Sequence, residues 1–265
     1  MSINQRNKEK LIILTTSLLI DRVFNYSQAL STILEKNNVI IWTTSARTKE
    51  VYSHIKKLDV DFEEFPKLKP FKEFPYNYLR RLNEYAWDFY LHPPSRLSIQ
   101  HHVKDKHQSW SIKILKIPAY IIAKARLIHI LEYLLEKILI TYPRSYEAAA
   151  RFEDNPPDII LCTGPHRYEE PAIVGEAKKR KIPLLAMIQS WDNISTKNRM
   201  VFQYDGYLVW SEQMKQDLHH FYPATRNLPI YIVGAAQFDV FFKAEFTMTR
   251  EDFCYEHNLR PELPI

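Results

Sequence analysis

Glycine is the first shortage: 265 residues hold only 4 glycines. Loops that cradle phosphates need several, so that the backbone can approach the anion, and neither GxGxxG nor GxxxxGK[ST] occurs. The usual nucleotide-binding loops are therefore excluded, and any nucleotide chemistry needs another device or another domain. Cysteine is scarcer still, with 2 residues. Cys162 ends an apolar run and Cys254 falls in a predicted helix, which makes no disulfide framework and no metal-ligand spacing and suits a reducing cytoplasm. The start, MSINQRNKEK, is polar and lacks the apolar core and small-residue cleavage site of an export signal. Uncharged apolar runs are also missing. The most apolar region, Ile112 to Tyr142, is interrupted by Lys113, Lys116, Lys124, Arg126, Glu132, Glu136 and Lys137, so no window approaches the roughly 20 residues of a spanning helix.

What is present is ordinary globular material: 46% hydrophobic residues, enough for a sizeable core, and a formal charge of +5 that favours anionic partners without choosing one. Along the chain, short β-branched runs alternate with helical periodicity. Strands are predicted at Lys10–Ser17, Val39–Thr43 and Val60–Phe65, with helices at Val23–Lys36 and Lys49–Lys57 between them. From about residue 66 to 145 the rhythm breaks into aromatic and proline-rich sequence, read as a helical insertion. It contains one long helix over about 111–142, broken or started near Pro118, whose stripe of Ile114, Ile117, Ile121, Ala125, Ile128, Leu131, Leu135 and Ile138 is expected to pack on the sheet. The rhythm returns with strands at Asp158–Cys162, Pro183–Gln189, Tyr207–Trp210 and Ile230–Val233 and helices at Glu170–Lys181 and Glu212–Phe221. Six or seven strands in two halves make an α/β, doubly wound, mostly parallel Rossmann-like sheet, with a ligand crevice at the carboxyl ends of its strands. After Gly234 strand alternation ends, and Thr249-x-x-Asp252 opens a short helix as a loose variant of a capping box. Residues 1–240 read as one domain. Residues 241–265 read as a linker and the beginning of a further domain's first strand.

The candidate chemistry sits on the loops after strands. Gln189-Ser190-Trp191-Asp192-Asn193 follows a strand and offers a stacking face, a carboxylate and an amide to a sugar; the same residues also suit a turn or a helix cap. Thr163-Gly164-Pro165-His166 follows another. Gly164 permits close backbone approach and His166 is the kind of side chain whose pKa suits proton transfer near neutrality, although a lone histidine after proline is more often an ordinary turn residue. Asp21 and Arg22 stand before the first predicted helix, where Asp21 is a plain N-cap and Arg22 suits an anion. Gly234, Gln237 and Asp239 fall at the crevice rim or in a hinge. His101, His102 and His107 lack an acidic or cysteine partner at ligand spacing, so neither a metal site nor a cofactor is predicted. Lys104, Lys106, Lys113 and Lys116 beside apolar residues suit an interfacial surface for anionic lipid, or a solvated face. Nucleic acid is disfavoured because basic and acidic residues are mixed.

Taken together, SWDN after a strand, YDGYLVWSEQMKQDL, IYIVGAAQFD and TREDFCYEHNLRPELPI resemble the N-terminal domain and linker of GT-B glycosyltransferases of surface-polysaccharide synthesis. The likeness covers about residues 157–265 and, more loosely, the first strand and helix. It implies two Rossmann-like domains, with a saccharide or lipid-linked acceptor held mainly by the first and the nucleotide-sugar donor by the second. Chemistry is then metal-independent, with Asp192 or His166 as base and Arg22, Gly164, Ser190, Trp191 and Asn193 toward the acceptor. The glycine-rich and acidic donor motifs of the second domain are not in this chain, so by itself it is expected to be inactive. The location implied is cytoplasmic, with peripheral contact at the inner face of a membrane. Polyol-phosphate transfer, sugar-nucleotide epimerisation, or non-catalytic binding to a membrane or partner are the alternatives on the same scaffold.

Overall fold

The structure, a computed structural model, describes residues 8–44, 60–69, 75–95, 109–141 and 144–264. Its strands are β1 (Glu9–Thr15), β2 (Asn37–Thr43), β3 (Val60–Glu64), β4 (Ile159–Cys162), β5 (Leu184–Met187), β6 (Gly206–Val209) and β7 (Ile230–Ile232). All pair in parallel in the order β3-β2-β1-β4-β5-β6-β7. The order reverses direction between β1 and β4, which opens a crevice beyond their carboxyl ends.

Successive side chains of a strand point to opposite faces, and both faces here are covered. Leu11 and Ile13 meet Val39, Ile41 and Leu161 on one face, under α1 (Leu18–Tyr26) and α2 (Ala29–Leu34) through Ile20, Val23, Phe24 and Leu30. Ile12 and Leu14 meet Trp42, Ile160 and Leu184 on the other. That face is covered by α6 (Ile128–Thr141), α7 (Tyr146–Asp154), α8 (Glu170–Lys179) and α10 (Glu212–Phe221).

Between β3 and β4 the described residues are helical: α3 (Tyr76–Leu91), α4 (Trp110–Lys113), α5 (Lys116–Lys124), α6 and α7. The predicted single helix over 111–142 is therefore three. Arg126 takes a left-handed turn, φ 57°, that separates α5 from α6. Pro118 lies in the first turn of α5, where a missing N–H breaks no helical bond. Most of the predicted stripe does not reach the sheet. Ala119 and Ala123 of α5 and Ile128 of α6 pack instead on Tyr85, Ala86 and Trp87 of α3 in a separate small core. Of the stripe, Leu135 alone is buried in the core beneath the sheet, while Ile114, Ile117 and Ile121 are exposed. Two small alanines let α5 approach α3 closely, which rotates the larger isoleucines outward.

The first helix differs as well. It begins at Leu18, not Val23, because the Ser17 carbonyl accepts the N–H groups of Ile20 and Asp21. It breaks at Ser27, whose hydroxyl accepts the Ala29 N–H. Asp21 is consequently a buried residue inside the first turn and not the cap. After Gly234 come 3-10 turns at Ala236–Phe242 and Ala244–Phe246, then α11 (Arg250–Glu256), where the Thr249 hydroxyl accepts the Asp252 N–H at 3.1 Å. The predicted helix Lys49–Lys57, the three histidines His101, His102 and His107, and Lys104 and Lys106 lie outside the described residues. Among the described residues no helix is long and apolar enough to cross a membrane.

Ile13, fully buried at the sheet's centre, has no room to relax. Ile13→Ala should cost about 2–5 kcal/mol, measured by urea denaturation; a loss within experimental error would show that the core beside α1 is loosely packed.

A cleft at the sheet's switch point

The loops after β4 and β5 and the 3-10 turn after Gly234 enclose a cleft of about 520 Å³, with Ile20 of α1 on its wall. The first loop is tied down from every side. Thr163 donates its hydroxyl to the Leu14 carbonyl at 2.7 Å, and Gln189 donates its side-chain amide to the Thr163 carbonyl. Gly164 is required by space: a Cβ there would lie 2.8 Å from the Thr16 hydroxyl and 2.9 Å from both Arg167 Cδ and Glu170 Oε1. The Gly164 N–H donates to Glu170 Oε1 at 2.6 Å.

Glu170, the first residue of α8, is fully buried, and its Oε2 has no hydrogen-bond partner among the described residues. Burial pushes its carboxyl up to about 8, against the Gly164 N–H, which acts in the opposite direction. At neutral pH it is mostly the uncharged acid. It supports the loop from beneath.

The loop's other side is held by the helical insertion. Arg80 of α3 is buried and donates through Nη2 to the His166 carbonyl at 3.1 Å and the Arg167 carbonyl at 3.3 Å. It also donates to the Tyr76 hydroxyl at 3.2 Å, pairs with Glu84 at 3.4 Å, and lies over the Tyr168 ring at 4.1 Å. Burial works against its charge, but Tyr76 and Glu84 more than compensate and keep it protonated. A second arginine, Arg199, anchors the far end. Its guanidinium lies 3.6 Å over Trp87 and 4.3 Å over Tyr222, and it donates to Glu132 at 3.0 Å and to the Phe221 carbonyl at 2.9 Å.

Within the cleft, the Asn198 carbonyl lies 3.0 Å from His166 Nδ1. A carbonyl can only accept, so Nδ1 carries the proton and the basic lone pair of the neutral ring is on Nε2. Asp192 precedes α9 (Asn193–Thr196) without capping it by its side chain. Its carboxylate accepts the Ser190 hydroxyl at 2.6 Å and the Thr196 hydroxyl at 3.1 Å. Partial burial acts upward, yet these hydroxyls and Lys197 hold the carboxyl below the usual range. Asp192 is thus ionised at neutral pH.

Of the residues expected from sequence, the structure gathers Gly164, His166, Ser190, Asp192, Asn193 and Gln237 around one cleft. Trp191 is 69% exposed and does not line it. Arg22 faces solvent on α1, and Asp239 sits in the 3-10 turn away from the lining. Gly234 has φ 74° with open space around it, so backbone conformation and not crowding selects glycine there. Sequence reasoning missed Arg167, Lys197 and Asn198 in the lining, and Glu170 and Arg80 behind it. Glu170, at the start of a helix just after Gly164, carried a local signal; Arg80 carried none. Among the described residues no three His, Cys, Asp or Glu side chains are grouped to hold a metal.

Two substitutions check this geometry. Arg80→Met leaves the His166 and Arg167 carbonyls without their donor, while Glu84 keeps Arg81 at 2.7 Å, and should cost about 1–3 kcal/mol in chemical denaturation. Glu170 gains protons on folding, so native stability should fall as pH rises from the unfolded carboxyl value toward about 8. Glu170→Gln removes that slope, and its stability relative to wild type should rise across the same window; a pH-independent difference would contradict the buried neutral acid. Comparison of the chain with protein-family models, with curated proteins and with solved structures found no match.

Proposed function

We propose that the chain is the acceptor-side half of a glycosyltransferase that moves a sugar from a nucleotide-sugar donor to a saccharide or lipid-linked acceptor. The observation that carries this reading is the grouping of a histidine of fixed tautomer, an ionised carboxylate and the Asn193 amide in one switch-point cleft. Convergent polar groups in a concave site of this size suit a sugar, whose hydroxyls need both donors and acceptors. The likeness of the Ser190–Asn193 loop and of the segment through Asp239 to GT-B enzymes adds support.

His166 is the better base of the two candidates. Nε2 is enclosed in this structure, so acceptor binding has to open it; as the acceptor hydroxyl attacks the donor's anomeric carbon, its proton passes to Nε2 and the nucleoside diphosphate departs. Asp192 is held below ordinary carboxylate basicity, which suits it to accept a hydrogen bond and orient the hydroxyl rather than to remove its proton. The donor falls to a second Rossmann-like domain following about residue 240. The scarcity of glycine and the exposure of Phe241 (69%) and Phe242 (89%) support a neighbour on that side. Polyol-phosphate transfer is the second reading, and Arg167 and Lys197 in the same cleft favour it through their affinity for a phosphate.

Calorimetric titration with saccharides and lipid-linked sugars should show binding that Asp192→Asn weakens about tenfold. His166→Gln should leave acceptor binding nearly intact but lower transfer by the full-length protein by about 10²–10⁴. Acceptor binding that ignores both substitutions, or preference for a nucleotide-polyol over every nucleotide-sugar, sinks the reading.

A further inference from the structure

Helices α5 and α6 carry the same eight-residue pattern: IPAYIIAK over Ile117–Lys124 and ILEYLLEK over Ile130–Lys137. Isoleucine, tyrosine, isoleucine or leucine, and lysine recur at identical spacing, which places all four on one helical face. In both helices that face is the outer one. Ile117 is 64% exposed, Tyr120 50% and Ile121 61%; in the second copy Ile130 is 57%, Tyr133 60% and Leu134 50%. The opposite faces are occupied, since Ala119, Ala123 and Ile128 pack on α3. The exposed residues therefore point away from the helix that holds them.

The chemistry at the ends of the pattern repeats too. Lys124 Nζ lies 5.6 Å from the Tyr120 ring centroid, and Lys137 Nζ lies 5.4 Å from that of Tyr133. Each helix thus presents branched aliphatic side chains beside a tyrosine with a cation over it. Trp110, 77% exposed, stands just before them on α4. Charge is sorted as well. From 110 to 141 there are five bases and two acids, and both acids are turned to the body of the protein: Glu132 to Arg199 at 3.0 Å and Glu136 to Lys178 at 3.2 Å. The outer side keeps an excess of positive charge, including Arg126 in the exposed turn between the helices.

A contiguous apolar surface on a soluble fold normally marks something that covers it. A protein partner asks for apolar complementarity but gives no reason for a lysine closing the exposed apolar row on each helix. A bilayer does: aliphatic side chains enter the acyl boundary, tyrosine and tryptophan sit at headgroup level, and lysines reach anionic phosphates on extended stems. We propose that the outer face of α4, α5 and α6 docks the protein on an anionic lipid bilayer. Of the lysines that the sequence suggested for such a surface, Lys113 lies on α4, Lys116 lies over the Tyr85 ring at 5.4 Å, and Lys104 and Lys106 lie outside the described residues. The inference stands whatever reaction the cleft performs.

Sedimentation with vesicles of phosphatidylcholine, with and without an equal share of phosphatidylglycerol, tests it. The chain should bind the anionic vesicles about tenfold more tightly than the neutral ones, and high salt should abolish the preference. The pair Ile121→Asp and Leu134→Asp should reduce binding about tenfold or more, with an unchanged far-ultraviolet spectrum and melting temperature because both positions are exposed. Phe242→Asp, on the other exposed apolar surface, should bind as wild type. Absent vesicle binding overturns the proposal. So does binding that survives the paired substitution but not Phe242→Asp. Sedimentation velocity showing a dimer that the paired substitution dissociates, without lipid binding, would instead assign the face to a second copy of the chain.

Discussion

Arg80 is the contact on which the cleft depends. A buried guanidinium is tolerated only when its donors are satisfied and its charge is matched, and here the satisfying groups come from two parts of the chain. Tyr76 and Glu84 belong to its own helix, while the carbonyls of His166 and Arg167 belong to the loop after β4. The helical insertion therefore shapes the site without contributing chemistry. Removing the arginine would leave the two loop carbonyls to find new partners inside the protein, while Glu84 would keep only Arg81 as its cation.

From opposite sides, Arg80 and Glu170 hold the short segment between Gly164 and Glu170. Glu170 receives the Gly164 N–H, and Arg80 gives to the carbonyls at the next turn. His166 between them is oriented further by the Asn198 carbonyl. Asn198 orients the ring, and Arg80 and Glu170 fix the backbone that carries it, which suits the proposed proton transfer in a single geometry. Asp192 is arranged differently: two hydroxyls and a lysine stabilise its charged form. The environments of the two residues differ: one is a histidine ring protonated on Nδ1, and the other retains a charge.

The insertion has a second face with another logic. Its small residues, Ala119 and Ala123, are spent on close packing with α3, so the large aliphatic side chains of the same helices have nothing beneath them to cover. Ile117, Ile121, Ile130 and Leu134 are left exposed, at the same spacing in both helices. Arg199 ties these helices to the sheet domain by stacking between Trp87 of α3 and Tyr222 and by donating to Glu132 of α6.

By itself the sequence determined the parallel α/β sheet, because alternating β-branched runs and helical periodicity are local signals that survive any tertiary arrangement. It also determined which loops follow strands, and so brought His166, Ser190, Asp192 and Asn193 to the carboxyl edge. Tertiary structure alone decided the rest. The stripe of α5 read as core because helical periodicity reports an apolar face and not what that face meets. Asp21 read as a cap because no local breaker marked the true start of α1 at Leu18. Arg80 shows the same limit most plainly, and Glu170 shows it in part, since its place just after Gly164 was legible but its burial was not. An arginine in an amphipathic helix and a glutamate in a helix's first turn look solvated in one dimension, and only contacts across 86 residues for the arginine and 6 for the glutamate make them supports of the cleft.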